Sequence, residues 1–215
     1  MQIKACLFDL DGVIVDTAKY HYLAWRELAL ELGFEFTEAH NEQLKGVSRM
    51  ASLDLLLEIG GISISQEEKE KLAAGKNERY VAFISKMQAD EILPGVLRFL
   101  DELKNAGIKT AIGSASKNAP LILERLRLTP FFDAIVDGNK VDKAKPDPEV
   151  FLKGATALGV EAHECVVFED AEAGIEAAIN GKMKCVGIGN PKVLNRANLV
   201  IDGFERFTLN DLKSL

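Results

Sequence analysis

Residues 3–12 read Ile3-Lys4-Ala5-Cys6-Leu7-Phe8-Asp9-Leu10-Asp11-Gly12. An apolar, β-rich run from Ile3 to Phe8 stops on two aspartates and a glycine. A continuous apolar run of this kind suits a strand buried on both faces, as in a parallel sheet. Four more runs share the character: Ile108 to Gly113, Ala134 to Val136, Cys165 to Phe168 and Lys184 to Ile188. Helical patterns separate the later ones, from about Asn118 to Leu128, from Asp147-Pro148 to Gly159, and up to Gly181. Asp147 before Pro148 reads as an N-cap followed by proline at the first helical position. Strand and helix in alternation predict a doubly wound α/β fold on a parallel, Rossmann-like sheet.

The first interval breaks that rhythm. Residues 9–107 separate the first strand from the second, where a crossover needs only about a dozen. Residues 15–91 therefore read as an all-helical cap domain inserted after the first strand, and 1–14 with 92–215 as the α/β core domain. Within the insert, Tyr22, Trp25, Ala29 and Leu32 repeat at helical spacing before Gly33. Leu53, Leu56 and Leu57 precede the Gly60-Gly61 break. Ser65-Gln66-Glu67-Glu68 is a capping box that opens a long helix through about Met87. The chain crossings near Val15 and Asp90 are expected to form a hinge, with Asp16 and Thr17 as hinge and N-cap residues.

Composition narrows the function classes. The 215 residues are 47% hydrophobic and 27% charged, too apolar for disorder as the main state. No stretch reaches the roughly 18 apolar residues of a membrane helix, so no membrane association is expected. The apolar run at the N-terminus is too short for a signal peptide. Cys6, Cys165 and Cys185 form an odd set without CxxC spacing, which predicts reduced core thiols and a cytoplasmic protein. Net charge is −7 and no Lys/Arg block forms a nucleic-acid footprint. Gly187-Ile188-Gly189-Asn190-Pro191 is no dinucleotide fingerprint, and it follows the last strand rather than the first.

Ligands of open α/β sheets bind at the carboxyl ends of the strands, so the residues there are the test. Strand one ends in Asp9-Leu10-Asp11-Gly12 and strand two in Ser114-Ala115-Ser116-Lys117-Asn118. Lys143 and Lys145-Pro146 follow strand three, and Glu169-Asp170 ends strand four. One polar strand end is ordinary solvation; these together point to a site. At about 4 Å each pair of like charges costs roughly 4 kcal/mol at an effective dielectric of about 20, so four carboxylates need a cation. Oxygen-only donors favour Mg²⁺ over zinc. A hard metal beside a hydroxyl-rich helix start and a lysine suits a phosphoryl group. The carboxylates can then serve as nucleophile, acid/base and metal ligands.

Asp9-Leu-Asp11-Gly12-Val-Ile-Val-Asp16-Thr17, followed in order by Ser114, Lys145 and Glu169-Asp170, resembles the four motifs of the haloacid dehalogenase superfamily. The resemblance covers essentially the whole chain. It implies that Asp9 forms an aspartyl-phosphate and that Asp11 is the general acid/base. It further implies that Asp9, Glu169, Asp170 and the backbone carbonyl of Asp11 hold Mg²⁺. Ser114, the amide of Ala115, and Lys145 would contact the transferring phosphoryl group. Lys145 is preferred to Lys143 because Pro146 follows it. Ala171 departs from the Ser or Thr that relatives often carry, which implies one hydrogen bond fewer near the metal.

The insert bears on which phosphoryl transfer this is. His21 lies on the stripe His21, Trp25, Leu28, Leu32, where a core histidine and a site residue read alike. Lys76 takes an apolar position in the stripe Leu72, Lys76, Tyr80, Phe83, Met87, and either snorkels to water or serves a site. Lys45-Gly46-Val47-Ser48-Arg49 reads as a turn with two cations, either solvated or, through Arg49, a bidentate phosphate grip. With Asn41–Arg49, Lys76-Asn77 and Ser114–Pro120, these segments resemble the sugar-phosphate mutase branch of the superfamily. That implies interconversion of β-glucose 1-phosphate and glucose 6-phosphate by a monomer, with β-glucose 1,6-bisphosphate as priming intermediate. Arg49, Ser116, Lys117 and Asn118 would hold the phosphate that is not transferring, and Gly46 and Val47 would line the sugar site. His21, with Trp25 close after it, and Lys76 would link cap closure to the placing of Asp11. A capped sugar-phosphate or phosphoglycolate phosphatase of the same superfamily is the open alternative. A receiver-like phospho-acceptor module also carries acids, a hydroxyl and a lysine at strand ends, but the long insert and the aspartates on the first strand count against it.

Overall fold

In a computed structural model, which describes residues 3–44 and 47–215, Ala5–Phe8 is strand β1 and none of its residues reaches solvent. The chain continues through helices α1 (Ala18–Glu31), α2 (Glu38–Glu42), α3 (Arg49–Ile59), α4 (Gln66–Ile84) and α5 (Val96–Asn105) before strand β2 (Lys109–Gly113). Then follow α6 (Ala119–Arg125), β3 (Ala134–Val136), α7 (Glu149–Leu158), β4 (Cys165–Glu169), α8 (Glu172–Asn180), β5 (Lys184–Ile188), β6 (Leu199–Ile201) and α9 (Leu209–Lys213). Two units divide the chain: Met1–Asp16 with Gln88–Leu215, and Thr17–Met87.

In the first unit the strands are parallel, in the order β3-β2-β1-β4-β5-β6. The expectation of five strands is one short: β6 is a three-residue edge strand whose residues are all partly exposed. The order reverses at β1 and β4, which makes their carboxyl ends the switch point where such sheets bind ligands. Phe8 faces Phe168 in the β1–β4 register, and their rings stack 4.8 Å apart at 10°. Phe99 of α5 and Phe204 extend that apolar layer on one face. Burying one such ring contributes about 1.5–3 kcal/mol. On the other face Leu7, Ala111 and Val167 meet Val150, Phe151 and Ala155 of α7. Gly154 lets α7 approach closely, since a Cβ there would stand 2.6 Å from a Leu7 methyl.

The start of α7 differs in detail from the sequence reading. Pro148 is itself the N-cap, and the Asp147 carboxylate accepts from the Glu149 N–H at 3.0 Å. The helix ends on Gly159 at φ +67, a left-handed position that glycine fills without strain. The chain leaves and re-enters this unit on adjacent strands of backbone: Asp16 N–H donates to the Glu91 carbonyl, and Leu93 N–H to that of Ile14.

The second unit is helical. Trp25, Leu28, Ala29, Phe36, Leu53, Leu56 and Leu57 form its core. The capping box at Ser65 and Glu68 opens α4, which ends at Ile84 rather than near Met87. Thr17 precedes α1, its carbonyl accepting from Tyr20 and His21 N–H. All three cysteines are buried and outside any disulfide. Burial pushes the Cys6 thiol well above its ordinary range, and burial beside Glu164 pushes Cys165 up to about 11. Among the described residues no helix is long and apolar enough to cross a membrane.

Candidate active site

Asp9 follows β1 directly, and its N–H donates to the Phe168 carbonyl of β4 at 3.0 Å. Beyond it the chain closes a tight loop in which Ile14 and Val15 N–H both donate to the Leu10 carbonyl, and Gly12 N–H to that of Val15. Asp11 lies within this loop. Gly12 has φ +80, and a Cβ on it would stand 2.2 Å from a carboxylate oxygen of Asp170. The Asp9–Gly12 turn therefore needs glycine twice, for its conformation and for the approach of Asp170 from the end of β4.

Lys145 joins the two strand ends. Its ammonium lies 2.5 Å from Asp9 Oδ1 and 2.6 Å from Glu169 Oε1, and its side chain is 1% exposed. It also stands 4.8 Å from the centre of the Phe151 ring. The Lys143 ammonium lies 3.4 Å from Asp147, on a side chain 73% exposed. Burial alone would lower the Lys145 pKa, but the Asp9 and Glu169 carboxylates outweigh it and hold the ammonium above the ordinary lysine range. For Glu169 burial wins and its carboxyl is raised, against the pull of Lys145. Glu169 Oε2 accepts the Ala171 N–H at 2.8 Å. That bond needs only backbone, so alanine at 171 keeps it.

Ser114 follows β2, is buried, and donates its N–H to the Val136 carbonyl of β3. Its Oγ accepts from Ser116 N–H at 3.1 Å, and Ser116 Oγ in turn from Asn118 N–H at 3.2 Å. The loop Ser114–Asn118 thus carries its own hydroxyl scaffold up to the start of α6. Sequence reading passed over the residues behind it: buried Asp137 and the turn through Gly138 and Asn139, which bind the Ser116 and Lys117 carbonyls. The visible signal was a third strand that also ends in polar residues.

The oxygen donors at this edge, the Asp9, Glu169 and Asp170 carboxylates and the Asp11 carbonyl, fit a hard divalent cation in chemistry. They also carry more negative charge than Lys145 balances. Among the described residues no three acidic, histidine or cysteine side chains are grouped as a ready metal cluster; Lys145 is the cation that Asp9 and Glu169 share.

In the helical unit, His21, Trp25 and Lys76 come together with Tyr80. The Lys76 ammonium is 3.0 Å from His21 Nδ1 and lies over the Trp25 and Tyr80 rings, 4.3 and 4.8 Å from their centres. Lys76 is 3% exposed, so its charge does not snorkel to water. His21 rests on Tyr80, ring centres 4.1 Å apart. Burial, then the positive charges of Lys76 and Arg49, hold the His21 pKa well below the ordinary range. Arg49 is the first residue of α3, capped by Ser48, rather than part of an open turn. Val47 is half-buried, and Gly46 and Lys45 lie outside the described residues.

This fold and this row of strand-end motifs define a class. A family model for haloacid dehalogenase-like hydrolases matches residues 3–182, and the chain belongs to that family. Within it, the chain is 44% identical to the β-phosphoglucomutase of Bacillus subtilis over 96% of its own length and 92% of that protein's. A solved β-phosphoglucomutase from Clostridium difficile superposes with a TM-score of 0.94 at 44% identity, covering 99% of this chain and 96% of the other. A phosphorylated carbohydrates phosphatase of Thermotoga maritima is 33% identical over 82% of this chain and 80% of its own.

Proposed function

We propose that this protein is a β-phosphoglucomutase, interconverting β-glucose 1-phosphate and glucose 6-phosphate through β-glucose 1,6-bisphosphate. The observation that carries the reading is the 44% identity to the Bacillus subtilis mutase along 96% of the chain, against 33% to the Thermotoga maritima phosphatase. The site chemistry fits. Asp9, in contact with Lys145, is the nucleophile: an Asp9 oxygen bonds to phosphorus as the bond from phosphorus to the sugar oxygen breaks. Asp11 gives a proton to that leaving oxygen, then takes one from the sugar hydroxyl that attacks the aspartyl-phosphate.

Lys145, the Ser114 hydroxyl and the Ala115 N–H meet the charge on the transferring group. Asp9, Glu169, Asp170 and the Asp11 carbonyl would hold Mg²⁺, which would neutralise phosphoryl charge when bound. Arg49, Ser116, Lys117 and Asn118 grip the other phosphate, and Val47 lines the sugar site. His21, Trp25 and Lys76 position Asp11. Catalysis belongs to the α/β unit, with residues 15–91 as its cap domain. The buried, unpaired cysteines suit the reducing cytoplasm, and the reading needs no residue from a second chain.

The test is an assay with Mg²⁺ and β-glucose 1-phosphate, primed with a trace of the bisphosphate, in which glucose 6-phosphate and inorganic phosphate are followed together. Glucose 6-phosphate without stoichiometric phosphate is the expected result. Phosphate with little glucose 6-phosphate would make this a phosphatase instead. Arg49→Ala is expected to cut mutase turnover more than phosphate release from acetyl phosphate; equal losses would remove Arg49 as the second phosphate grip.

A further inference from the structure

The turn after β3 has no part in the chemistry above, yet it holds the phosphate loop from behind. Buried Asp137 accepts the Asn139 N–H on Oδ1 at 2.7 Å. The Asn139 side-chain amide donates to the Lys117 carbonyl at 3.0 Å, and Gly138 N–H donates to the Ser116 carbonyl at 3.2 Å. A Cβ on Gly138 would stand 2.3 Å from the Ala115 carbonyl oxygen. The turn and the segment Ala115–Lys117 therefore lie backbone against backbone.

A trans peptide is planar, so a carbonyl pointing one way sends the next residue's N–H the other way. With the Ser116 and Lys117 carbonyls bound by the turn, the N–H groups of Lys117 and Asn118 face away from it. Ser116 Oγ takes the Asn118 N–H. The orientation of this loop is thus held by its own hydroxyls together with donors that lie outside it.

We infer that Asn139 is a positioning residue for phosphate recognition: by holding the Lys117 carbonyl it fixes the loop that takes the phosphate not being transferred. The inference rests on the mutase reading, which assigns that phosphate to Ser116, Lys117 and Asn118. Asn139 is exposed, so its replacement leaves the core packing intact. Asn139→Ala removes the donor, whereas Asn139→Gln keeps a carboxamide that reaches the same carbonyl.

The experiment measures the Kd of glucose 6-phosphate by calorimetry, and the KM and kcat of β-glucose 1-phosphate, each with Mg²⁺. Phosphate release from acetyl phosphate, which has no second phosphate, serves as the reference. Asn139→Ala is expected to raise Kd and KM about tenfold with acetyl phosphate turnover within about twofold of the parent, and Asn139→Gln to restore most of the loss. Unchanged Kd in Asn139→Ala, or equal losses with both phosphoryl donors, overturns the inference. A parent that binds glucose 6-phosphate but makes none sinks the mutase reading while the Kd comparison still decides the role of Asn139. A parent that binds no glucose 6-phosphate overturns both.

Discussion

Asp9 and Glu169 bring two carboxylates to positions 7% and 1% exposed, and one ammonium meets both. Taking an ion out of water costs several kcal/mol, which a partner at hydrogen-bond distance offsets only while it is present. Lys145→Ala strips the partner and leaves two uncompensated charges in one place. It is expected to lower stability by about 3–5 kcal/mol in the absence of divalent cations, read from urea unfolding. Millimolar Mg²⁺ should recover part of the loss, because the remaining oxygens would then share a different cation; an equal loss with and without Mg²⁺ would mean that these carboxylates take no metal. Asp9 itself is tested by chemistry. Asp9→Asn removes the charged oxygen that bonds to phosphorus, so the phosphorylated protein that mass spectrometry should find after acetyl phosphate treatment is expected to vanish. Turnover near the parent's would remove Asp9 as the nucleophile.

The turn between β1 and the helical unit is as constrained as a strand, although nothing in it is regular. Gly12 is at φ +80 with the Asp170 carboxylate where a Cβ would be, so Gly12→Ala meets a left-handed penalty of about 1–2 kcal/mol and displaces Asp170 as well. The expected outcome is a destabilised protein whose activity needs more Mg²⁺ for half-saturation; an unchanged Mg²⁺ dependence would detach Asp170 from the metal. That Gly12 belonged to a site could be read from Asp9-Leu-Asp11-Gly12 once the polar ends of the other strands were set beside it, because one acidic strand end by itself is ordinary solvation. Strands β1, β2, β4 and β5 were legible for one reason: buried on both faces, they are continuous apolar runs. The edge strand β6 is short and half-exposed, and its Leu-Val-Ile does not stand out from a loop. Lys145 could be separated from Lys143 only through Pro146, and the structure shows what that choice meant in burial, 1% against 73%. Lys76 was visible as a charge in an apolar stripe, but its partner His21 lies 55 residues away, a distance that helical spacing cannot bridge. The turn at Asn139 went unread because its meaning lies in the backbone of a neighbouring strand's loop rather than in its own residue types.

At the scale of the whole molecule, two cores share one chain, and the only tryptophan, Trp25, reports on just one of them. The same unit holds the histidine whose charge state matters. His21 faces the Lys76 ammonium at 3.0 Å and the Tyr80 ring, with the positive charge of Arg49 acting on it too. Burial and these two cations disfavour the imidazolium, so the folded pKa lies well below the value near 6.5 of an unfolded histidine. Between those two pKa values the unfolded chain binds more protons than the folded one. Stability therefore rises with pH through that window; the full contribution is present above about pH 6.5 and is lost as pH falls toward the folded pKa. One proton sets an upper slope of about 1.4 kcal/mol per pH unit. Urea unfolding followed by Trp25 fluorescence is accordingly expected to move to lower urea as pH drops from about 7 to about 5, with His21→Gln flattening that dependence. Circular dichroism, which sees the α/β unit as well, should respond less over the same range. If the fluorescence transition of His21→Gln keeps the parent's slope, the protonation that weakens the helical unit lies on another group.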